Sequence, residues 1–191
     1  MKHAEKMYRV GDVTVTKISE RTVEVATPEF LYPTYEPGEL ERNRARLAPG
    51  DLDESGEHLP LSFHSWLVRT KDHTILVDTA AGNDKERPQN PLFHHLQTPY
   101  LERLANAGVR PEDVDYVLLT HLHVDHVGWN TRLVKGQWVP TFPNARYVLP
   151  RVDEDYYASS ASHNEANIPS LGVYEDSVAP IIEAGLAERI E

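Results

Sequence analysis

The segment THLHVDHVGWN, residues 120–130, places three histidines and one aspartate within six positions, at His121, His123, Asp125 and His126. Side chains two apart in an extended segment point the same way, so His121 and His123 can reach one ion. Asp125 and His126 are adjacent, on a chain that must already be turning, and they can address a second ion close to the first. Nitrogen and carboxylate ligands suit Zn, Fe, Mn or Co better than Ca or Mg.

The surroundings of this histidine loop (residues 120–130) favour a site over a chance cluster. A lone histidine is usually a core or surface residue, but four such groups together cost stability unless they have a partner. The apolar run YVLL before the loop predicts a strand, Tyr116 to Leu119, which would give the ligands a rigid base. Gly128 permits the tight backbone that lets the loop fold back.

The bulk composition excludes several functions. The chain has 191 residues, 40% of them hydrophobic and 26% charged, which predicts one globular domain over residues 1–191. A net charge of −11 argues against nucleic-acid binding and against anionic membranes. The absence of cysteine excludes disulfides, zinc–thiolate sites and cysteine nucleophiles, so a metal must be held by histidine and carboxylate.

No apolar stretch approaches the roughly 20 residues that a membrane span requires. The first residues, MKHAEKMYRVGDVTVTK, lack the apolar core of a secretory signal. We therefore expect a cytoplasmic protein that acts on a small-molecule substrate.

Strand-like patterns precede and then alternate with helical ones, which predicts an α/β domain around a mixed sheet. The expected strands include a hairpin with the turn KD. They are Val13 to Ile18, Leu61 to Thr70, His73 to Ala80, Tyr116 to Leu119 and Ala145 to Pro150.

Three helices are predicted besides a short one in GELERNRARL, residues 38–47. The clearest runs from Thr98 to Gly108, with Thr98 as N-cap, Pro99 at the first helical position and Gly108 after the last turn. Residues 151–159 and 173–191 also look helical, and Pro180 must kink the last helix or mark a restart.

Residues 25–60 contain five prolines and many charged residues, and most of this stretch is predicted to be loop. Loops this long in a compact domain are often functional. We expect it to be a lid over a pocket or an arm that contacts a partner chain.

The sequence THLHVDHVGWN resembles the His-x-His-x-Asp-His signature of the metallo-β-lactamase-fold metallohydrolases. The resemblance extends upstream to SWLVRTKDHTILVDTAAGN and downstream to FPNARYVLPRVDEDYY. It covers about residues 61–157, and the flanking sequence is closest in style to the branch with lactonases and organophosphate hydrolases.

The resemblance implies an αββα sandwich with mixed sheets and two divalent metal ions, most often Zn, with Fe, Mn or Co as alternatives. His121 and His123 would hold the first ion, and Asp125 and His126 the second. A water or hydroxide between the ions would attack a carbonyl or phosphoryl centre, and Asp125 would help to orient it. The implied activity is the opening of a lactone or the cleavage of an ester-like bond.

The family completes its site with further histidine and aspartate ligands, and this sequence shows no motif for them after His126. The chain is therefore expected to be the N-terminal part of the fold, lacking its C-terminal portion. Two alternatives stay open. The chain is a non-catalytic fragment or split half that a homodimer partner or completing chain finishes, or it is a mononuclear iron oxygenase of the same fold.

Four other positions carry candidate roles or side chains of interest: Asp78, Trp129, His163 and the pair His94 and His95. Asp78 ends a buried strand and would brace the metal ligands through hydrogen bonds. Trp129 would line a substrate pocket or simply pack under the loop. His163, in a Ser- and Asn-rich segment, is a candidate extra ligand. The paired His94 and His95 could suggest a metal site, but they lie in a loop or at a helix start without carboxylate partners, so they are expected to be surface residues.

Overall fold

The computed structural model describes residues 6–191. They form two compact units, one made of residues 6–20 with Phe63–Glu191 and the other of Arg21–Ser62. Strands β2 and β3 each run from one unit into the other. The bounds of the strands are β1 Met7–Val10, β2 Val13–Ala26, β3 Leu59–Arg69, β4 Thr74–Val77, β5 Tyr116–Leu118, β6 Thr131–Val134, β7 Gln137–Pro140, β8 Arg146–Pro150 and β9 Ala187–Ile190.

The α-helices are short. Their bounds are α1 Pro28–Leu31, α2 Glu39–Asn43, α3 Tyr100–Asn106, α4 Arg151–Tyr157 and α5 Ala179–Glu183. Short 3-10 helices lie among them, and a π-helical turn, Tyr174–Val178, leads directly into α5. Within the described residues, no helix is long and apolar enough to cross a membrane.

A seven-stranded mixed sheet is the main framework, with strand order β1-β2-β3-β4-β5-β8-β9. The predicted hairpin is confirmed, since β3 and β4 pair antiparallel. Strands β4, β5, β8 and β9 run parallel to one another. Strands β6 and β7 form a separate two-stranded sheet. The mixed α/β architecture expected from the sequence is therefore confirmed.

The centre of the sheet is buried because its strands carry continuous apolar runs. Leu76 of β4, Val117 of β5 and Leu149 of β8 have no accessible surface and belong to one hydrophobic cluster. Leu104 of α3 joins the same cluster. This core supports the strand ends at which the histidine loop begins.

Several predicted boundaries were wrong in detail, and strand β2 runs on to Ala26, past its predicted end at Ile18. Pro99 occupies the N-cap of α3, not its first turn, because Thr98 is engaged elsewhere through its amide and hydroxyl. Gly108 does follow the last turn, with φ of +78°. Strand β4 stops before Asp78, whose φ of +56° is incompatible with continued extended backbone.

The predicted C-terminal helix over residues 173–191 is wrong beyond Ala184. Pro180 lies in the first turn of α5, so it marks a restart, which is one of the two expected outcomes. The chain then turns at Gly185 and pairs residues 187–190 with β8. Pairing with an open strand edge satisfies backbone groups that the local sequence pattern does not reveal.

The Pro-rich stretch, residues 25–60, lies entirely within the unit Arg21–Ser62. The predicted short helix there is confirmed as α2 followed by a 3-10 turn, Arg44–Arg46. Asp53 organises the loop that follows, since its carboxylate accepts hydrogen bonds from Ser55 and from the backbone of Glu57 and His58. The role of this stretch as a lid or arm stays a prediction.

Candidate metal centre at the ends of β4 and β5

Parallel pairing brings the site residues to one edge of the sheet. Strands β4 and β5 are aligned so that Val77 faces Leu118. Asp78 follows the first strand, and its amide donates a hydrogen bond to Leu118 O at 2.9 Å. Thr120 follows the second, and its amide donates to Asp78 Oδ1 at 2.8 Å. The carboxyl ends of parallel strands are the usual place for sites in such sheets.

The histidine loop alternates between core and surface. Leu122 and Val124 are buried, whereas His121, His123 and Asp125 keep accessible surface. The rings of His121 and His123 lie on one side with centroids 4.6 Å apart. The shared orientation predicted from their spacing is therefore confirmed.

His126 joins this group from the far end of the loop. Its ring centroid lies 3.9 Å from that of His121, closer than His123 comes. Its Nε2 lies 3.4 Å from Asp125 Oδ2. The structure therefore brings together the three histidines and the aspartate that the sequence singled out.

Asp78 fixes the orientation of His126. Its Oδ2 accepts a hydrogen bond from His126 Nδ1 at 2.8 Å, and its side chain is almost fully buried. A carboxylate can only accept, so Nδ1 carries a proton and Nε2 is the atom available to a metal. The predicted hydrogen bonding by Asp78 is present, and its role in bracing a metal ligand stays a prediction.

Thr120 links His121 to the same carboxylate through two hydrogen bonds of its hydroxyl group. Its single hydroxyl proton is donated to Asp78, with Oδ2 2.8 Å away. The hydroxyl therefore accepts from His121 Nδ1, 3.0 Å distant, and His121 presents Nε2 outward. One buried carboxylate thus sets the tautomers of two candidate ligands.

These contacts also perturb the charges. Burial, followed by the nearby charges of His126 and His123, lowers the pKa of His121. Burial lowers the pKa of His126 too, but hydrogen bonds and charges of Asp125 and Asp78 outweigh it and raise the pKa to about 9. Burial raises the pKa of Asp125, but its hydrogen bond with His126, the charges of His126 and His123 and a backbone hydrogen bond together lower it, and the net shift is downward. The carboxylates of Asp125 and Asp78 therefore stabilise a positive charge at His126.

Two polar contacts hold the middle of the loop. The amide of Leu122 donates to Asp153 Oδ2 at 2.9 Å, from the first turn of α4. The amide of Val124 donates to Ser170 Oγ at 3.2 Å. The inward-facing backbone therefore has partners while the imidazoles face outward.

The end of the loop is joined to residues 79–82. Thr79 N donates to His126 O at 2.6 Å, and Gly128 N donates to Ala80 O at 2.7 Å. Glu20, buried on β2, stabilises the same segment by accepting from the amides of Ala81 and Gly82.

Glu20 also accepts a hydrogen bond from Trp129 Nε1 at 2.6 Å. Trp129 is 5% exposed and stacks on Tyr100 with ring centroids 5.2 Å apart. These contacts are explained if Trp129 packs under the loop, which is the second of the two roles predicted for it. Its role in lining a substrate pocket stays a prediction. Four hydrogen bonds lower the pKa of Glu20, but burial raises it by more, and the net shift is upward.

The donor set fits a transition metal in type, with imidazole nitrogens and one carboxylate on a braced base. The loop residues alone do not supply a complete set of ligands. Among residues 6–191, only one group of three histidine or acidic side chains has ligand atoms all within 4.8 Å of one another, and it lies outside the loop. His163 is exposed at the end of a 3-10 turn, Ser160–Ser162, and is not in such a group. Its role as an extra ligand stays a prediction.

Sequence reasoning missed three supporting residues: Glu20, Asp153 and Ser170. Glu20 could have been found, because the alternation of β2 puts it on the same face as Ile18, where a charged residue is unexpected. Asp153 and Ser170 lie 31 and 46 positions from their partners, and no local pattern marks them.

Comparison with known proteins shows the family of the chain. A sequence model of the metallo-beta-lactamase superfamily matches residues 47–185, so the chain belongs to that superfamily. The chain is 28% identical over 96 residues to an N-acyl homoserine lactonase, AiiB, from Agrobacterium fabrum, an alignment that covers 45% of this chain and 35% of that protein. It is 34% identical over 88 residues to a hydroxyacylglutathione hydrolase from Aeromonas salmonicida, covering 46% of this chain and 26% of that one.

Solved structures show the same fold. The hydrolase AbOPH of the beta lactamase superfamily superposes with a TM-score of 0.72 at 26% identity, covering 100% of this chain and 62% of its own. AidC, a dizinc quorum-quenching lactonase, gives a TM-score of 0.66 at 20% identity, covering 98% and 61%. The chain thus spans about three fifths of these structures and about a third or less of the two curated relatives.

Proposed function

We propose that the histidine loop contributes the ligands of a metal-dependent hydrolase that opens a lactone or cleaves an ester-like bond. The observation that carries this proposal is the hydrogen bond from His126 Nδ1 to Asp78, which leaves Nε2 for a metal. The relatives support a hydrolase in general, and the lactonases among them support the narrower substrate class.

His121 and His123 would hold one divalent ion, with Asp125 and His126 at a second. A bound ion supplies Lewis acidity, which lowers the pKa of a coordinated water to about 7. Asp78 keeps His126 in the ligating tautomer, and Thr120 does the same for His121. Leu122 and Val124 seal the inner side of the loop against water.

The test compares the wild-type chain, His121→Ala and His73→Ala after reconstitution with Zn²⁺. His73 is a matched control, since its imidazole is half exposed on the β3–β4 hairpin. Bound zinc is measured by mass spectrometry, and hydrolysis is followed on an N-acyl homoserine lactone and a hydroxyacyl-glutathione. Fewer bound zinc ions and a loss of hydrolysis in His121→Ala alone support the proposal. Equal zinc binding in all three proteins contradicts it.

A second candidate is a chain whose metal site is completed by ligands from elsewhere, in a longer polypeptide or a partner subunit. The open donor set of the loop favours it, because a catalytic zinc needs about three protein ligands and the loop offers two for each ion. Under this alternative the 191-residue chain binds zinc weakly at the histidine loop and is inactive alone. Native mass spectrometry with a zinc titration distinguishes a loaded, active monomer from a species that needs a partner.

The iron oxygenase alternative uses the same ligand types. Oxygen consumption by iron-loaded protein, with no hydrolysis by zinc-loaded protein, would favour it over both candidates.

A further inference from the structure

A second group of metal-ligating side chains lies outside the histidine loop. Glu86, His94 and His95 are the group whose ligand atoms all lie within 4.8 Å of one another. His95 Nε2 is 2.9 Å from Glu86 Oε2, and His94 Nδ1 is 3.6 Å from Glu86 Oε1. The expectation that the paired histidines lack a carboxylate partner was therefore wrong, because Glu86 approaches from eight residues upstream.

The backbone under Glu86 is held firmly. Its neighbours Lys85 and Arg87 both point inward and are buried. Lys85 donates to Thr131 Oγ1 at 2.6 Å, and Arg87 makes a bidentate pair with Asp176 at 2.7 and 2.8 Å. Alternation along this segment therefore directs the Glu86 carboxylate outward on a fixed base.

The two histidines are brought to one side by an unusual backbone conformation. Consecutive side chains in extended chain point to opposite faces. His95 has φ of +48°, in the left-handed region, and its amide donates to Lys85 O. As a result the rings of His94 and His95 stack with centroids 4.0 Å apart and planes 19° apart. The two imidazoles therefore lie side by side, next to the Glu86 carboxylate.

We propose that Glu86, His94 and His95 form a second metal site, selective for nitrogen-preferring ions such as Zn²⁺ and independent of the histidine loop. Two imidazoles and one carboxylate make a zinc-type donor set, with water completing the shell. His94 Nδ1 accepts a hydrogen bond from Arg87 N at 2.9 Å. If His94 binds the ion through Nδ1, it loses the hydrogen bond from Arg87 N and gains a bond to the metal. The bound ion would link residue 86 to residue 95 across the loop that precedes α3.

The experiment uses untagged full chain that carries His121→Ala and His123→Ala, which removes the first two ligands of the histidine loop. After chelator treatment this variant is dialysed against Zn²⁺, and bound metal is measured by mass spectrometry and calorimetry. We expect the variant to retain zinc, to lose it when His95→Ala or Glu86→Gln is added, and to keep it when His73→Ala is added. Excess Mg²⁺ is expected not to displace the zinc.

Thermal unfolding gives a second readout, because an ion that binds only the folded state raises Tm. Zinc should raise the Tm of the loop-disabled chain and leave the Tm of its His95→Ala derivative unchanged. Glu86 and His95 are 68% and 54% exposed, so their replacement leaves the core intact. The proposal is overturned if the loop-disabled chain binds no zinc, or if His95→Ala and Glu86→Gln leave its zinc affinity unchanged. Neither outcome bears on catalysis at the histidine loop.

Discussion

Gly128 lies directly against Ala81: a Cβ added to Gly128 would sit 1.8 Å from the carbonyl oxygen of Ala81. Gly82 faces it from the same segment, and a Cβ there would lie 2.6 Å from the Gly128 carbonyl carbon. The end of the histidine loop and residues 79–82 therefore meet backbone to backbone. Glycine is required at position 128 by this close approach.

Gly128→Ala is expected to destabilise the fold by at least about 3 kcal/mol, since backbone must move to admit the methyl group. Gly136→Ala is the control, because no atom lies within 4 Å of a Cβ at that position and only its φ of +80° opposes the change. The control should cost about 1 kcal/mol. Urea unfolding measures both, and equal losses would contradict the close-packing argument.

Glu20→Gln is expected to lower the free energy of unfolding by about 2 kcal/mol. All four partners of the carboxylate are donors, namely the amides of Ala81 and Gly82, the Thr98 hydroxyl and the Trp129 indole. A glutamine amide would turn an NH₂ group toward them. Glu24→Gln, exposed on the same strand, should change the unfolding free energy by less than about 0.5 kcal/mol. A similar small change at position 20 would show that Glu20 is not needed as an acceptor.

Asp78→Asn should lower the pKa of His126 from about 9 in the metal-free chain, because the partner of Nδ1 loses its charge. The folded-state pKa of His126 is raised above its ordinary 6.5, so its protonation stabilises the fold below that value. This stability is lost as pH rises through about 9. NMR titration of the imidazole checks the shift, with Asp72→Asn in the β3–β4 turn as control. Zinc affinity should also fall by about 10- to 100-fold, and an unaltered His126 titration would rule out the brace.

Asp153→Ala should weaken zinc binding and cost about 1–2 kcal/mol of stability, because the Leu122 amide loses its acceptor. Asp155→Ala is the control, since Asp155 is exposed two residues further along the same helix. Calorimetric zinc titration and urea unfolding measure the two effects. Identical behaviour of both variants would mean that α4 does not position the loop.

The sequence alone predicted the chemistry of the loop, because that chemistry depends on residue types and on spacing within a few positions. His121 and His123 share a side because alternate residues of an extended segment do so wherever they occur. The hairpin of β3 and β4 and the helix α4 followed from equally local patterns. Apolar periodicity and turn residues act over a few residues, which is the range that sequence reading covers.

Only the tertiary structure decided which distant residues meet. Parallel pairing of β4 with β5 aligned Asp78 with Thr120, and the turn at 126–129 returned His126 to that carboxylate. Pairing with β8 made the C-terminal residues a strand although their local pattern predicted a helix. The left-handed turn at His95 placed two imidazoles beside Glu86. Each of these contacts depends on strand register and backbone dihedrals set by the whole fold, whereas the sequence fixes only which groups are available to make them.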